Sequence, residues 1–219
     1  MNRRNLILSV LALSAVGFGG AVLYVTRSAP TPEVEPVAPE KAEALTRPYS
    51  PVLGPDNAAV TIVEFFDPAC EACRAFHPIV KDIMSEHGNS VRVVIRYTAF
   101  HGNGSDTAIR VLEAARMQGI FEPVLNAILR EQPRWAAHGS MRPNLVLDIA
   151  AKAGLDRAAA RGQMLAPQTT AIINQDRADV ETMGVRQTPT FFVNGQPLDP
   201  FSEAELRRVV AAEVAAKQS

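Results

Sequence analysis

Val60-Thr-Ile-Val-Glu-Phe-Phe-Asp-Pro-Ala-Cys70-Glu-Ala-Cys73-Arg-Ala-Phe-His-Pro78 is the stretch on which the reading of the whole chain turns. It begins as a short apolar strand, turns at Pro68, and becomes helical from the first cysteine. A Cys-x-x-Cys pair therefore falls at a helix N-terminus. There, unpaired backbone N–H groups and the helix dipole stabilise a negative sulfur. A thiolate is the nucleophile of disulfide exchange, so the arrangement suits redox chemistry at Cys70 and Cys73.

The remaining composition narrows the alternatives. The chain has 219 residues, 47% hydrophobic and 21% charged, with a formal net charge of −1. Nothing in that balance has the basic surplus of a nucleic-acid binder. Its two cysteines sit three positions apart, too close to staple a large loop. No second Cys-x-x-Cys supplies the four ligands of a closed zinc site, and the four histidines lack ligand spacing. Chemistry at the sulfurs is the better reading, with no metal and no cofactor beyond the redox-active pair.

Residues 1–27 decide the compartment. Arg3 and Arg4 precede an uncharged apolar run from Leu6 to Val25. At about 1.5 Å per residue it reaches roughly 30 Å, the thickness of a hydrocarbon core. The leading positive charges predict a cytoplasmic N-terminus and export of everything after Thr26. A cleaved signal peptide would end near Gly17-Phe-Gly19, but the apolar run continues to Val25 and favours an uncleaved single-pass anchor. From 28 to 56, prolines alternate with glutamates, which predicts an extended tether. A single folded domain is expected over 57–217.

Within that domain, Glu64 lies in an otherwise apolar strand six residues before Cys70. A buried carboxylate there has a raised pKa and can relay a proton to the second sulfur; the bland alternative is a strand-end charge in solvent. Glu71 and Ala72 fill the space between the cysteines. The Glu71 carboxylate should oppose the dipole and make the pair less oxidising. His77 reads as a surface residue of the helix, Pro78 as a kink within it, and Gly88 as its C-cap. Val91–Tyr97 completes a βαβ unit, the setting in which Cys-x-x-Cys reads as thioredoxin-like.

Residues 104–183 carry little strand signal and read as an inserted helical subdomain. Its helices are expected from Ser105, Phe121, Asn144 (as a cap), Asp156 and Pro167. Trp135 reads as a loop aromatic, packed or exposed, outside the site. Thr188-Pro189-Thr-Phe-Phe-Val193-Asn-Gly195 then returns to strand with a hairpin signal at Asn194-Gly195. A cis Pro189 would expose the backbone of Thr188 for pairing with a substrate strand; an ordinary edge-strand proline is the alternative. Ser202-Glu-Ala-Glu205 is a capping box for the last helix.

Taken together, Glu-Phe-Phe before Cys-Glu-Ala-Cys, Pro78, the helical insert and Thr-Pro-Thr-Phe-Phe-Val-Asn-Gly resemble the DsbA-like branch of the thioredoxin superfamily over roughly residues 50–217. The resemblance implies an α/β thioredoxin-like fold, with a mixed sheet of four or five strands flanked by helices. It implies Cys70 as the exposed nucleophile, Cys73 as the resolving thiol, Glu64 as the buried acid and Thr188-Pro189 as the cis-proline loop. The Glu-Ala filler departs from the Pro-His of the strong oxidants, and no N-terminal dimerisation domain of the isomerase kind fits into 28–57. The expected function is a thiol–disulfide oxidoreductase of the bacterial inner membrane with its catalytic domain in the periplasm. It would act on protein thiols and disulfides and be recycled by a membrane or periplasmic redox partner, its direction open. A soft-metal protein holding copper at the same cysteines, or a disulfide isomerase, are the alternatives.

Overall fold

The computed structural model describes residues 39–137 and 140–218. The anchor or signal expected over 1–27, and the first part of the tether, lie outside the described residues. Among the described residues no helix is long and apolar enough to cross a membrane.

In chain order the first half comprises α1 (Pro39–Leu45), β1 (Val52–Leu53), β2 (Val60–Phe66), α2 (Glu71–His87) and β3 (Val91–Tyr97). The insert follows as α3 (Gly102–Met117), α4 (Phe121–Arg130), the one-turn α5 (Gln132–Trp135), β4 (Ala136–Ala137), β5 (Ser140–Met141), α6 (Asn144–Lys152), α7 (Arg157–Met164) and α8 (Pro167–Thr182). The chain returns through β6 (Thr190–Val193) and β7 (Gln196–Pro197) and closes with α9 (Glu203–Gln218). Five strands form one mixed sheet in the order β1-β3-β2-β6-β7. β2 and β3 are parallel, as a helical crossover requires, and the other pairings are antiparallel.

Alternation along β2 divides its side chains between two cores. Val60, Ile62 and Phe66 join the larger core with Cys73, Val80 and Ile83 of α2. Val63 and Phe65 face the opposite core with Val94, Val180, Val185 and Phe192. Position 64 therefore belongs to the face that carries the cysteine helix. Pro78 lies inside α2 without ending it, and Gly88 is its C-cap. In the insert, α3 is the hub that meets α4, α6 and α7. Ala108, Ala114 and Ala115 are fully buried along it and permit that close approach. The Asp156 side chain caps α7 by accepting from Ala158 N at 2.8 Å and Ala159 N at 3.3 Å. Between β6 and β7, Asn194 (φ 47°) and Gly195 (φ 86°) both take the left-handed backbone of a tight hairpin.

Three expectations are corrected. The proline-rich segment is not extended up to residue 56: α1 forms within it, and Ala44 and Leu45 are buried. Pro39 occupies the first helical position, where its missing N–H costs nothing. The following Glu-Lys-Ala-Glu-Ala-Leu is a run of good helix formers with an apolar end. Asn144 is the first residue of α6 rather than its cap, because Pro143 already holds helical φ at −61°. The insert also carries a short hairpin, β4–β5, whose two-residue strands are below the length at which alternation can be read.

Candidate active site

Cys70 is the N-cap of α2, with extended backbone (φ −77°, ψ 124°). The turn delivering it is closed by Cys70 N donating to Asp67 O at 3.0 Å. Antiparallel pairing of β6 with β2, with Phe65 opposite Thr190, brings the preceding loop to the same place. The Thr188–Pro189 bond is cis, and Cys70 Sγ donates to the Thr188 carbonyl at 3.2 Å. Both cysteines are free thiols. Cys73, one turn into the helix, is fully buried, and its Sγ accepts from Asp67 N at 3.4 Å. Cys70, expected exposed, keeps only 8% of its surface because it tucks against Thr188. It opens on a cleft of about 720 Å³ lined also by Ala69, Glu71, Ala72, His101 and the β4–β5 hairpin.

The two sulfurs are held in opposite ionisation states. Cys70 is lowered to about 5, first by the hydrogen bond from Cys73 and then by the Thr188 side chain and the N–H groups of Cys73 and Ala72, which together outweigh burial. Burial pushes the Cys73 thiol far up, assisted by its bond to Cys70 and by the charge of Glu64. The strong drop at Cys70 runs against the effect expected of Glu71. Short-range donors to the sulfur decide the outcome, and Ala72 takes part through its backbone. Glu64 is 3% exposed, one of its oxygens (Oε1) has no hydrogen-bond partner, and its pKa rises to about 8, through burial first and the Cys70 charge second. Of the two readings of Glu64, solvent exposure is excluded. Among the described residues, no group of three or more His, Cys, Asp or Glu is placed to hold a metal ion.

Residues 46–212 match the profile of the thioredoxin family. A thioredoxin-like oxidoreductase from Silicibacter pomeroyi DSS-3 superposes with a TM-score of 0.69 at 32% identity, over 81% of this chain and 98% of that one. Disulfide bond formation protein D of Bacillus subtilis is 27% identical over 180 residues, 76% of this chain and 78% of that protein. The chain belongs to the thioredoxin family. A Na(+)/H(+) antiporter NhaA of Herminiimonas arsenicoxydans is also 32% identical over 147 residues, 67% of this chain. The chain spans 22% of that antiporter's length, and between 22% and 33% of the other antiporters it is similar to.

The structure of this thioredoxin-family domain adds residues that the sequence reading did not single out. Gln132, buried on α5, donates from Nε2 to Pro68 O at 2.8 Å and Cys70 O at 2.9 Å, while its Oε1 accepts from Arg74 Nε at 3.0 Å. The insert thus grips the cysteine turn directly. Asp67, fully buried, accepts from Ala69 N at 2.8 Å and from Ser105 Oγ at 2.7 Å. An aspartate two residues before the N–H it accepts is a local turn signal, legible in Asp67-Pro-Ala69. No local signal announces Gln132, which acts on a loop some sixty positions away. Trp135 is fully buried and donates to Ile128 O at 2.9 Å, the packed alternative of its sequence reading. His77 is half-buried against α4, with Nε2 2.7 Å from Asn126 Oδ1.

Proposed function

We propose that this domain exchanges disulfides with protein thiols outside the cytoplasm through Cys70 and Cys73, and does so as an oxidant. The observation that carries the reading is the contrast between an acidic sulfur at a cleft and a buried, non-acidic one a helical turn away. In the oxidising direction a substrate thiolate attacks Cys70 of the disulfide, Cys73 leaves, and a second substrate thiolate then displaces Cys70. The redox group is the sulfur pair itself, and the reaction calls for no cofactor. The Thr188 backbone, whose carbonyl lies 3.2 Å from Cys70 Sγ, is assigned the pairing with a substrate chain as an added strand. Export rests on the apolar segment before Val25, and turnover requires a redox partner that reoxidises the pair.

Direction follows from the sign of the thiol shift. Only the reduced form has a Cys70 thiol to ionise, so lowering its pKa stabilises the reduced protein and makes the disulfide more oxidising. With Cys70 moved from 9.0 to about 5, two of those pH units act at pH 7, on the order of 60 mV. Thiolate absorbance of the reduced protein should titrate with a midpoint near 5. Equilibration with glutathione should place the pair well above thioredoxin's potential of about −270 mV. A midpoint at or above about 8, with a potential like thioredoxin's, would reverse the assignment of direction.

Glu64 is assigned the proton traffic of Cys73. With a pKa near 8 it holds a proton at neutral pH, and the departing Cys73 sulfur needs one. Its folded pKa is raised above the unfolded value of 4.5, so the native state holds the extra proton between about 4.5 and 8. Stability is therefore intact below 4.5 and falls as pH rises through that window. Glu64→Gln should remove this slope in the reduced protein. The variant should gain on the order of 4 kcal/mol over the parent at pH 8 and show little difference near pH 4. Denaturant melts at the two pH values read it; equal offsets at both would remove Glu64 from this role.

A further inference from the structure

Asp67 and His101 stand on the loops that leave the C-terminal ends of the two parallel strands, β2 at Phe66 and β3 at Tyr97. Sites in sheets of this kind gather at such strand ends. The Asp67 carboxylate has no exposure, whereas the His101 side chain is 40% exposed. Besides Ala69 N and Ser105 Oγ, Asp67 accepts from Phe100 N at 2.9 Å and His101 N at 3.2 Å, and His101 Nδ1 lies 2.7 Å from its Oδ2. Every other partner of this carboxylate donates to it, which assigns the remaining proton to His101 Nδ1. The basic lone pair is then on Nε2, and no described residue makes a hydrogen bond to it. His101 lines the same cleft as Cys70. An imidazole fixed by a buried carboxylate and open to a cleft on its other nitrogen is built to move protons. Among the described residues, the charged groups around it are Asp67 beneath and Cys70 and Glu71 across the cleft.

We infer that His101, held by Asp67, is the proton carrier for the substrate sulfur that bonds to Cys70. This rests on the exchange reaction proposed above. In the oxidising direction, Nε2 takes the proton of the substrate thiol as that sulfur bonds to Cys70 Sγ. The Cys70–Cys73 bond breaks and its electron pair leaves on Cys73, which is protonated from the Glu64 side. A second substrate thiol, also deprotonated at His101 once the first proton has passed to solvent, attacks the substrate sulfur and releases Cys70 as thiolate. The substrate has lost two electrons and the protein disulfide has gained them. In reverse, the imidazolium protonates the substrate thiolate that Cys70 displaces.

A magnitude follows from ordinary thiol acidity. A substrate cysteine with pKa near 8.5 is only about 1% thiolate at pH 6.5, so a base that ionises it in place gains up to about 100-fold. That gain vanishes once solution pH ionises the thiol unaided. The test is His101→Gln in the full chain, because glutamine can still donate to Asp67 but offers no titrating base. Reduction of the Cys70–Cys73 disulfide by a cysteine-containing peptide is followed from pH 5.5 to 9. The parent should be about 10-fold or more faster at the acid end, the two rates converging near pH 9. The thiolate titration of Cys70 and the glutathione equilibrium should be unchanged. Parallel pH profiles overturn the inference. So does a shifted Cys70 midpoint that accounts for the rate difference, since His101 would then act on Cys70 and not on substrate. Failure of the parent itself to exchange with glutathione would instead remove the exchange reaction and leave His101 unassigned.

Discussion

Cys70→Ser should lose catalysed disulfide exchange, by at least about 1000-fold, while Cys73→Ala should accumulate mixed disulfides with its substrates. The two outcomes differ because the two sulfurs differ in state, though they are three residues apart. With a pKa near 5, Cys70 is almost entirely thiolate at pH 7, against about 1% for a thiol of pKa 9. Serine at the same N-cap meets the same donors with a hydroxyl that does not ionise. Cys73 cannot replace it, being fully buried and held protonated by burial and by Glu64. In Cys73→Ala the attacking thiolate persists but nothing displaces the captured sulfur from within. Removing the Cys73 hydrogen bond also removes the largest influence lowering Cys70, so its titration midpoint should rise. Non-reducing electrophoresis of each variant after incubation with thiol-bearing proteins reads the trapping, and oxidation of a reduced dithiol peptide reads the rate. Capture by Cys70→Ser through Cys73, or exchange at more than a tenth of the parental rate, would displace Cys70 as the nucleophile.

The parts of this site that could be read in the sequence are those governed by local pattern. Cys70 at a helix start, Pro189 ahead of a strand and Glu64 inside an apolar run each announce themselves within a few residues. The order of elements around them supplied the sheet. What could not be read depends on groups that meet only after folding. The acidity of Cys70 comes from the Cys73 thiol, the Thr188 side chain on a distant loop and two backbone N–H groups. A reading confined to the Glu71-Ala72 filler has no access to these groups. Gln132 and His101 reach the cysteine turn from the insert and from the loop after β3, with nothing local to mark them. Arg96 is the instructive miss. It occupies a β-branched strand as Glu64 does, and the reasoning that singled out a charge in β2 applies equally to a charge in β3.

Arg96→Met should destabilise the domain by about 3–5 kcal/mol, lowering its melting temperature by roughly 10–15 °C. Arg96 is fully buried and points to the second core, with its guanidinium carbon 6.0 Å from the Phe65 ring centroid. Its NH2 group donates to Asp176 and Asp179 of α8, at 2.6 Å each, and NH1 donates to the Ala44 carbonyl at the end of α1. The same carboxylates collect the segment after α1: Tyr49 donates to Asp176 at 2.8 Å and Arg47 to Asp179 at 2.7 Å. Methionine fills much of the volume but leaves two buried carboxylates without their shared cation. Asp176 would then favour protonation further, burial already raising it with the arginine present, whereas Asp179 keeps Arg47. With the folded pKa of Asp176 above its unfolded one, the variant loses stability as pH rises. Its deficit should be largest near and above pH 7 and shrink towards pH 4. Freed from Arg96, the Ala44 carbonyl no longer anchors α1, so trypsin should cut after Lys41, within α1, faster in the variant. Replacing Arg96, Asp176 and Asp179 together by apolar residues should cost less than Arg96→Met alone, because no fully buried charge is then stranded and Arg47 still reaches solvent. A pH-independent deficit below about 1 kcal/mol would mean that packing, not this ion network, joins α1 and α8 to the sheet.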